Sequence, residues 1–135
     1  MAYNKKTDYW KWKANQLISN FQTRHKKNKK EYTYHRKRAD YAEVLKTKMT
    51  RCEYCDTKLN KSNFSVDHMV PLSKGGDTND KNLAYCCKTC NSSKGEMSDV
   101  EFIQLRKLTK KWEDHGDYLF RRLRAASLVF RRRRF

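Results

Sequence analysis

Apolar residues are scarce in this chain. Leu, Ile, Val and Phe together supply 23 of its 135 residues, below the roughly 20% under which a strongly charged chain is expected to stay unfolded. Burial alone would hold such a fold weakly. In small domains a metal staple usually makes up the difference. No run of 18 apolar residues exists, so no membrane-spanning helix is expected. The opening MAYNKKTDYWKWK lacks an apolar signal core, which argues against secretion. Acidic residues are outnumbered, 15 against 32 lysines and arginines, leaving a formal charge of +17. Proline and glycine are rare too, and three of the five sit in one stretch, VDHMVPLSKGG (66–76). That stretch sets an acid and a histidine side by side, ahead of a glycine loop.

The length suits one compact domain. Charge divides it into three parts. Residues 1–50 carry +10, residues 51–96 carry +1, and residues 97–135 carry +6. Two basic arms therefore flank a nearly neutral centre. This pattern fits a polyanion gripped by the flanks, with chemistry in the middle, and nucleic acid is the expected partner. We expect a basic helical N-terminal arm over 1–50, a core over 51–96, and C-terminal helices with a basic tail over 97–135.

Helical periodicity supports the arms. Asp8 caps an expected helix over 8–22, with Trp10, Ala14, Leu17 and Phe21 along one face. The polar run RHKKNKK (24–30) is expected to break it. A second helix is expected over 32–49, a third over 98–114 with Ser98 and Glu101 as a capping box, and a fourth over 118–130 before the run RRRR (131–134). The Trp10, Leu17, Phe21 stripe reads as core, whereas Tyr9 and Trp12, on other faces, are better placed to touch DNA.

The centre lacks helical period and holds every cysteine. Cys52-x2-Cys55 and Cys87-x2-Cys90 are two knuckle spacings, each of which puts two thiolates on one turn at the angle tetrahedral zinc takes. Together they close a four-thiolate site with no open position, which makes the ion structural and turns its binding into folding energy. Cys86 is left over and reads as a small strand residue. Phe64 to Met69 alternates like a strand, NLAYC (82–86) like a second, and Pro71 through Lys81 forms the loop between. A short helix should follow Cys90.

At these residues the chain resembles the HNH endonucleases. The text VDHMVPLSKGGDTNDKNLAYCCKTCNSSKG (66–95), with the first knuckle, carries the likeness; the flanking arms do not. The resemblance implies an α+β fold with a small ββα-metal core, which the four-Cys zinc site would staple and the basic helices expected from charge and periodicity would flank on both sides. It implies metal-dependent hydrolysis of phosphodiester bonds in double-stranded DNA. His68 would be the general base, since imidazole titrates near working pH. Asp67 and Asn91 would hold one divalent ion. Asn82 would bond to backbone and steady the loop that aims His68. The family name gives its last position as His. Here it is Asn91, and two oxygen ligands suit a hard ion such as Mg²⁺ or Mn²⁺. Small basic members of this family occur in phages, introns and restriction systems, so a bacterial or phage-infected cytoplasm is the expected setting.

Residues expected to contact nucleic acid are Lys74, Lys94, Arg24, Lys26, Lys27, Arg36, Lys37, Arg38, Arg121, Arg122 and Arg124. His25, His35 and His115 read as surface residues. The competing reading is a zinc-ribbon nucleic-acid binder without catalysis; the combination of Asp67, His68 and Asn91 argues against it. RNA as substrate, nicking against double-strand cleavage, and a homodimer or a phage or host protein partner all stay open.

Overall fold

The computed structural model of the chain describes residues 4–111 and Arg122. The chain divides into two compact units, Met1–Asp99 and Val100–Phe135. In the first, helix α1 spans Tyr9–Lys27. Its start is set by Asp8, whose carboxylate accepts the Lys11 N–H at 3.4 Å, a cap worth about 1 kcal/mol. Ala14, Leu17, Ile18, Phe21 and His25 are buried in turn, at the steps of three and four residues that one helical face requires. The helix runs five residues past its expected end at 22. His25 extends the buried face by one turn, and Arg24, Lys26 and Lys27 sit where the helix dipole favours cations.

Helix α2 spans Arg38–Lys48, shorter than the expected 32–49. Residues 30–37 are irregular because their side chains are spent on tertiary contacts. The Tyr34 hydroxyl donates to Asp80 at 2.6 Å, and its ring meets Tyr41 edge-on at 6.0 Å. Arg38 ties α2 to α1, donating to the backbone oxygen of Asn15 at 2.6 Å and to its side chain at 2.7 Å.

Strands β1 (Phe64–His68) and β2 (Leu83–Cys87) pair antiparallel, Phe64 opposite Cys87 and His68 opposite Leu83. Both lie within one residue of their expected bounds. Cys86 is a fully buried strand residue opposite Ser65. The first cysteine turn docks on the free edge of β2, where the Glu53 N–H donates to Tyr85 O at 3.1 Å. Helix α3 (Lys88–Lys94) follows β2 directly and packs on both strands. This gives the strand, loop, strand, helix order of a small α+β core. Helix α1 lies across β1, with Trp10 against Phe64 at 6.5 Å and Phe21 against His68 at 5.4 Å. The core is small and aromatic: Phe21, Tyr41, Leu45 and Phe64 are its fully buried large residues.

Helix α4 spans Asp99–Lys111. It buries Phe102 and exposes Leu105 and Leu108, so the expected three-residue face is only partly covered. The helix expected over 118–130 and the arginine run lie outside the described residues, apart from Arg122, which is helical and exposed. No described helix is long and apolar enough to cross a membrane.

Candidate active site

The loop between the strands is closed by backbone. Gly75 adopts φ 91°, which L side chains rarely take. A Cβ on Gly76 would fall 1.8 Å from the Val70 carbonyl oxygen, so only glycine fits there. The Asn82 amide clasps the loop across its neck. It donates to Val70 O at 3.0 Å and Asp77 O at 2.7 Å, and accepts from the Val70 N–H at 2.9 Å. From outside, Lys30 donates to the carbonyl oxygens of Gly75 and Gly76.

This clasp carries Thr78 inward. Its buried hydroxyl lies 2.7 Å from Nε2 of His68 and 2.7 Å from Nε2 of His25. Nδ1 of His25 donates to Glu31 O at 3.0 Å. The expectation of a surface His25 is therefore corrected: it is 1% exposed, because the fourth-residue step after Phe21 turns it inward. His35 is exposed, and His115 lies outside the described residues.

Successive strand residues face opposite ways, and Asp67 and His68 have separate surroundings. His68 stacks edge-on to Phe21 and bonds to Thr78 through Nε2. Its Nδ1 has no hydrogen bond among the described residues, and the ring borders an open cleft. Burial foremost, then the nearby charges of Arg24 and Lys94, hold the imidazole down at about 4, so the ring is neutral at neutral pH.

Asp67 is 6% exposed. Its Oδ2 accepts the Tyr54 hydroxyl at 2.8 Å and the Lys94 ammonium at 3.0 Å. Burial and this bond push the Tyr54 phenol up. Lys94 also donates to His68 O at 2.9 Å, and its side chain is 0% exposed. A surface Lys94 reaching for phosphate is thus corrected to a buried lysine that braces the Asp67-His68 pair. Asn91, on α3, donates its amide N–H to Ser65 Oγ and Val66 O on β1. Its own oxygen, like Asp67 Oδ1, has no hydrogen bond among the described residues.

A cleft of about 400 Å³ brings together Arg24, Lys27, Asp67, His68, Asn91 and Glu96. A second groove of about 180 Å³ adjoins it through Arg24 and Asn91 and is lined by Lys13 and Lys88. Burial, and then repulsion from Lys88 and Lys5, push the Lys13 ammonium down. Of the other basic residues, Lys26, Lys37 and Lys74 are exposed. Arg36 pairs with Asp80 and Arg38 with α1, which spends them on the fold. Arg121 and Arg124 lie outside the described residues. Tyr9 is corrected as well: it is 8% exposed and donates to Lys61 O at 3.3 Å, so it is not displayed for DNA.

The four cysteines meet near the end of the strand pair where Phe64 lies opposite Cys87. The sulfurs of Cys52, Cys55, Cys87 and Cys90 all lie within 4.8 Å of one another, and Cys55 and Cys87 are 3.8 Å apart. Tetrahedral zinc with Zn–S near 2.3 Å needs sulfurs about 3.8 Å apart. The backbone N–H groups of Tyr54 and Cys55 point at Cys52 Sγ, and that of Cys90 at Cys87 Sγ, as suits thiolates. The cluster can hold a metal ion such as zinc. Asp67 and Asn91 both line the cleft, and carboxylate and amide oxygens are donors of the kind a hard divalent cation takes.

Residue spacing alone missed Thr78, His25, the Lys13–Lys88 pair and Glu96. Only His25 left a trace, as the next member of the α1 face.

Two comparisons bear on this site. Residues 52–106 match the model of the HNH endonuclease family. Over 46 residues, 33% of this chain, it is 44% identical to the CRISPR-associated endonuclease Cas9 of Corynebacterium diphtheriae. The match spans 4% of that protein's length.

Proposed function

Taking residues 52–106 as an HNH endonuclease core, we propose that this chain hydrolyses phosphodiester bonds in double-stranded DNA, with His68 as general base. The observation that carries the reading is the His68 ring, held through Nε2 with Nδ1 bare of hydrogen bonds among the described residues, on a cleft that Asp67 and Asn91 also line. Arg24 and Lys27 at the cleft and Lys13 and Lys88 in the adjoining groove form a cationic path suited to a phosphate backbone. Nδ1 takes a proton from the attacking water. The water oxygen bonds to phosphorus as the P–O3′ bond breaks, and the departing 3′ oxygen takes a proton from solvent, leaving a 5′-phosphate and a 3′-hydroxyl. Asp67 and Asn91 would hold Mg²⁺ or Mn²⁺, which when bound supplies charge neutralisation at the phosphate and the leaving oxygen. Cys52, Cys55, Cys87 and Cys90 would hold Zn²⁺, which fixes the start of α3 and so sets Asn91.

Incubation of supercoiled plasmid with Mg²⁺, Mn²⁺ or EDTA tests this. Ion-dependent nicked or linear product that a DNA ligase reseals is the expected result. A plasmid that is shifted but uncut under every ion would favour the non-catalytic binder.

A further inference from the structure

The hydrogen bonds behind His68 take one direction when His25 carries a single ring proton. A carbonyl oxygen only accepts, so His25 Nδ1, 3.0 Å from Glu31 O, carries a proton. When that is the ring's single proton, the lone pair is on Nε2, which accepts the Thr78 hydroxyl hydrogen across 2.7 Å, with Asp77 Oδ1 3.7 Å from the same nitrogen. That hydroxyl has one hydrogen and has spent it. Toward His68, also at 2.7 Å, the oxygen can only accept, so His68 Nε2 must donate. The proton is thereby held on Nε2 and the lone pair on Nδ1, the nitrogen with no bond among the described residues.

We propose that His25 and Thr78 are positioning residues that lock His68 in its Nε2–H tautomer and so present Nδ1 as the base. This rests on the reading of His68 as general base. The relay starts at Glu31, beyond the end of α1, passes through the loop at Thr78 and ends on β1. The N-terminal segment therefore sets the protonation geometry of a core that the family match begins only at residue 52. Phe21 and Thr78 hold the ring from two sides, so the tautomer and the orientation are fixed together. The extension of α1 to Lys27 brings His25 to the relay.

Ring-nitrogen correlation NMR of the full chain with ¹⁵N-labelled histidine, at neutral pH, reads the tautomer directly. Wild type should show His68 protonated on Nε2; a ring protonated on Nδ1 would overturn the proposal without any variant. Thr78→Val, close to Thr in shape, should mix the tautomers and lower kcat roughly 10- to 100-fold with KM unchanged, and Thr78→Ser should restore both. His25→Phe, which frees the hydroxyl to turn toward His68, should lower kcat alike. Wild-type kcat and tautomer in Thr78→Val sink the relay. His68→Ala is run alongside: full cleavage by that variant would sink the general-base reading instead, whatever the spectrum shows.

Discussion

Asp67 shares one oxygen between a phenol and a buried ammonium, and this makes it a structural as well as a chemical residue. Asp67→Ala would strand the Lys94 ammonium, 0% exposed, without a counter-charge. Removing one partner of a buried pair costs about 3 to 5 kcal/mol, so Asp67→Ala should lose stability of that order as well as cleavage. In the double variant with Lys94→Met the loss should be much smaller than the sum of the single losses. Urea unfolding of the three variants checks this, and additive losses would contradict it. His68 makes a prediction of opposite kind. Its folded value is about 4 against an ordinary 6.5, so between those limits the unfolded chain binds a proton that the folded one refuses. The stabilising contribution is complete above about 6.5 and is lost as pH falls toward 4. Wild type should therefore lose more stability than His68→Ala between pH 7.5 and pH 5. Equal losses would show that His68 does not resist protonation.

At the scale of elements, the strands and knuckles were legible in the sequence because their signals are local. Cys-x2-Cys specifies a turn on its own, and the alternation from Phe64 to His68 specifies an extended strand. Helix ends were less legible. In RHKKNKK only the spacing of His25 after Phe21 hints that α1 continues to Lys27, because the contact that holds His25, with Thr78, spans 53 residues. Likewise the first turns expected for α2 are pulled out of helix by Asp80, which bonds Tyr34 and Arg36. The knuckles also carry a prediction. They pin the turn after Cys52 to the start of α3, and the buried apolar set is small, so metal binding should supply much of the folding energy. A strong chelator should collapse the circular-dichroism signal and the thermal transition, and added Zn²⁺ should restore both. An unchanged transition in the metal-free chain would contradict the structural role.

For the whole molecule, the total charge was legible in the sequence, but which basic residues serve the fold was not. Sequence position gives no sign that Arg36, Arg38 and Lys94 serve the fold, or that Lys13 and Lys88 face one groove beside the cleft. If phosphates lie along that groove, Lys13→Ala with Lys88→Ala should weaken duplex binding alike for all sequences. The log–log salt slope should flatten by about 0.9 for each phosphate that a lysine no longer neutralises. An unchanged slope would move the DNA path elsewhere. On this reading the basic groove holds the duplex and His68 cuts it. Plasmid cleavage and duplex affinity, measured together for wild type and His68→Ala with Mg²⁺ or Mn²⁺, test it most directly. Equal binding is expected, with cleavage by wild type alone; cutting by His68→Ala at the wild-type rate would contradict the role of His68 as base.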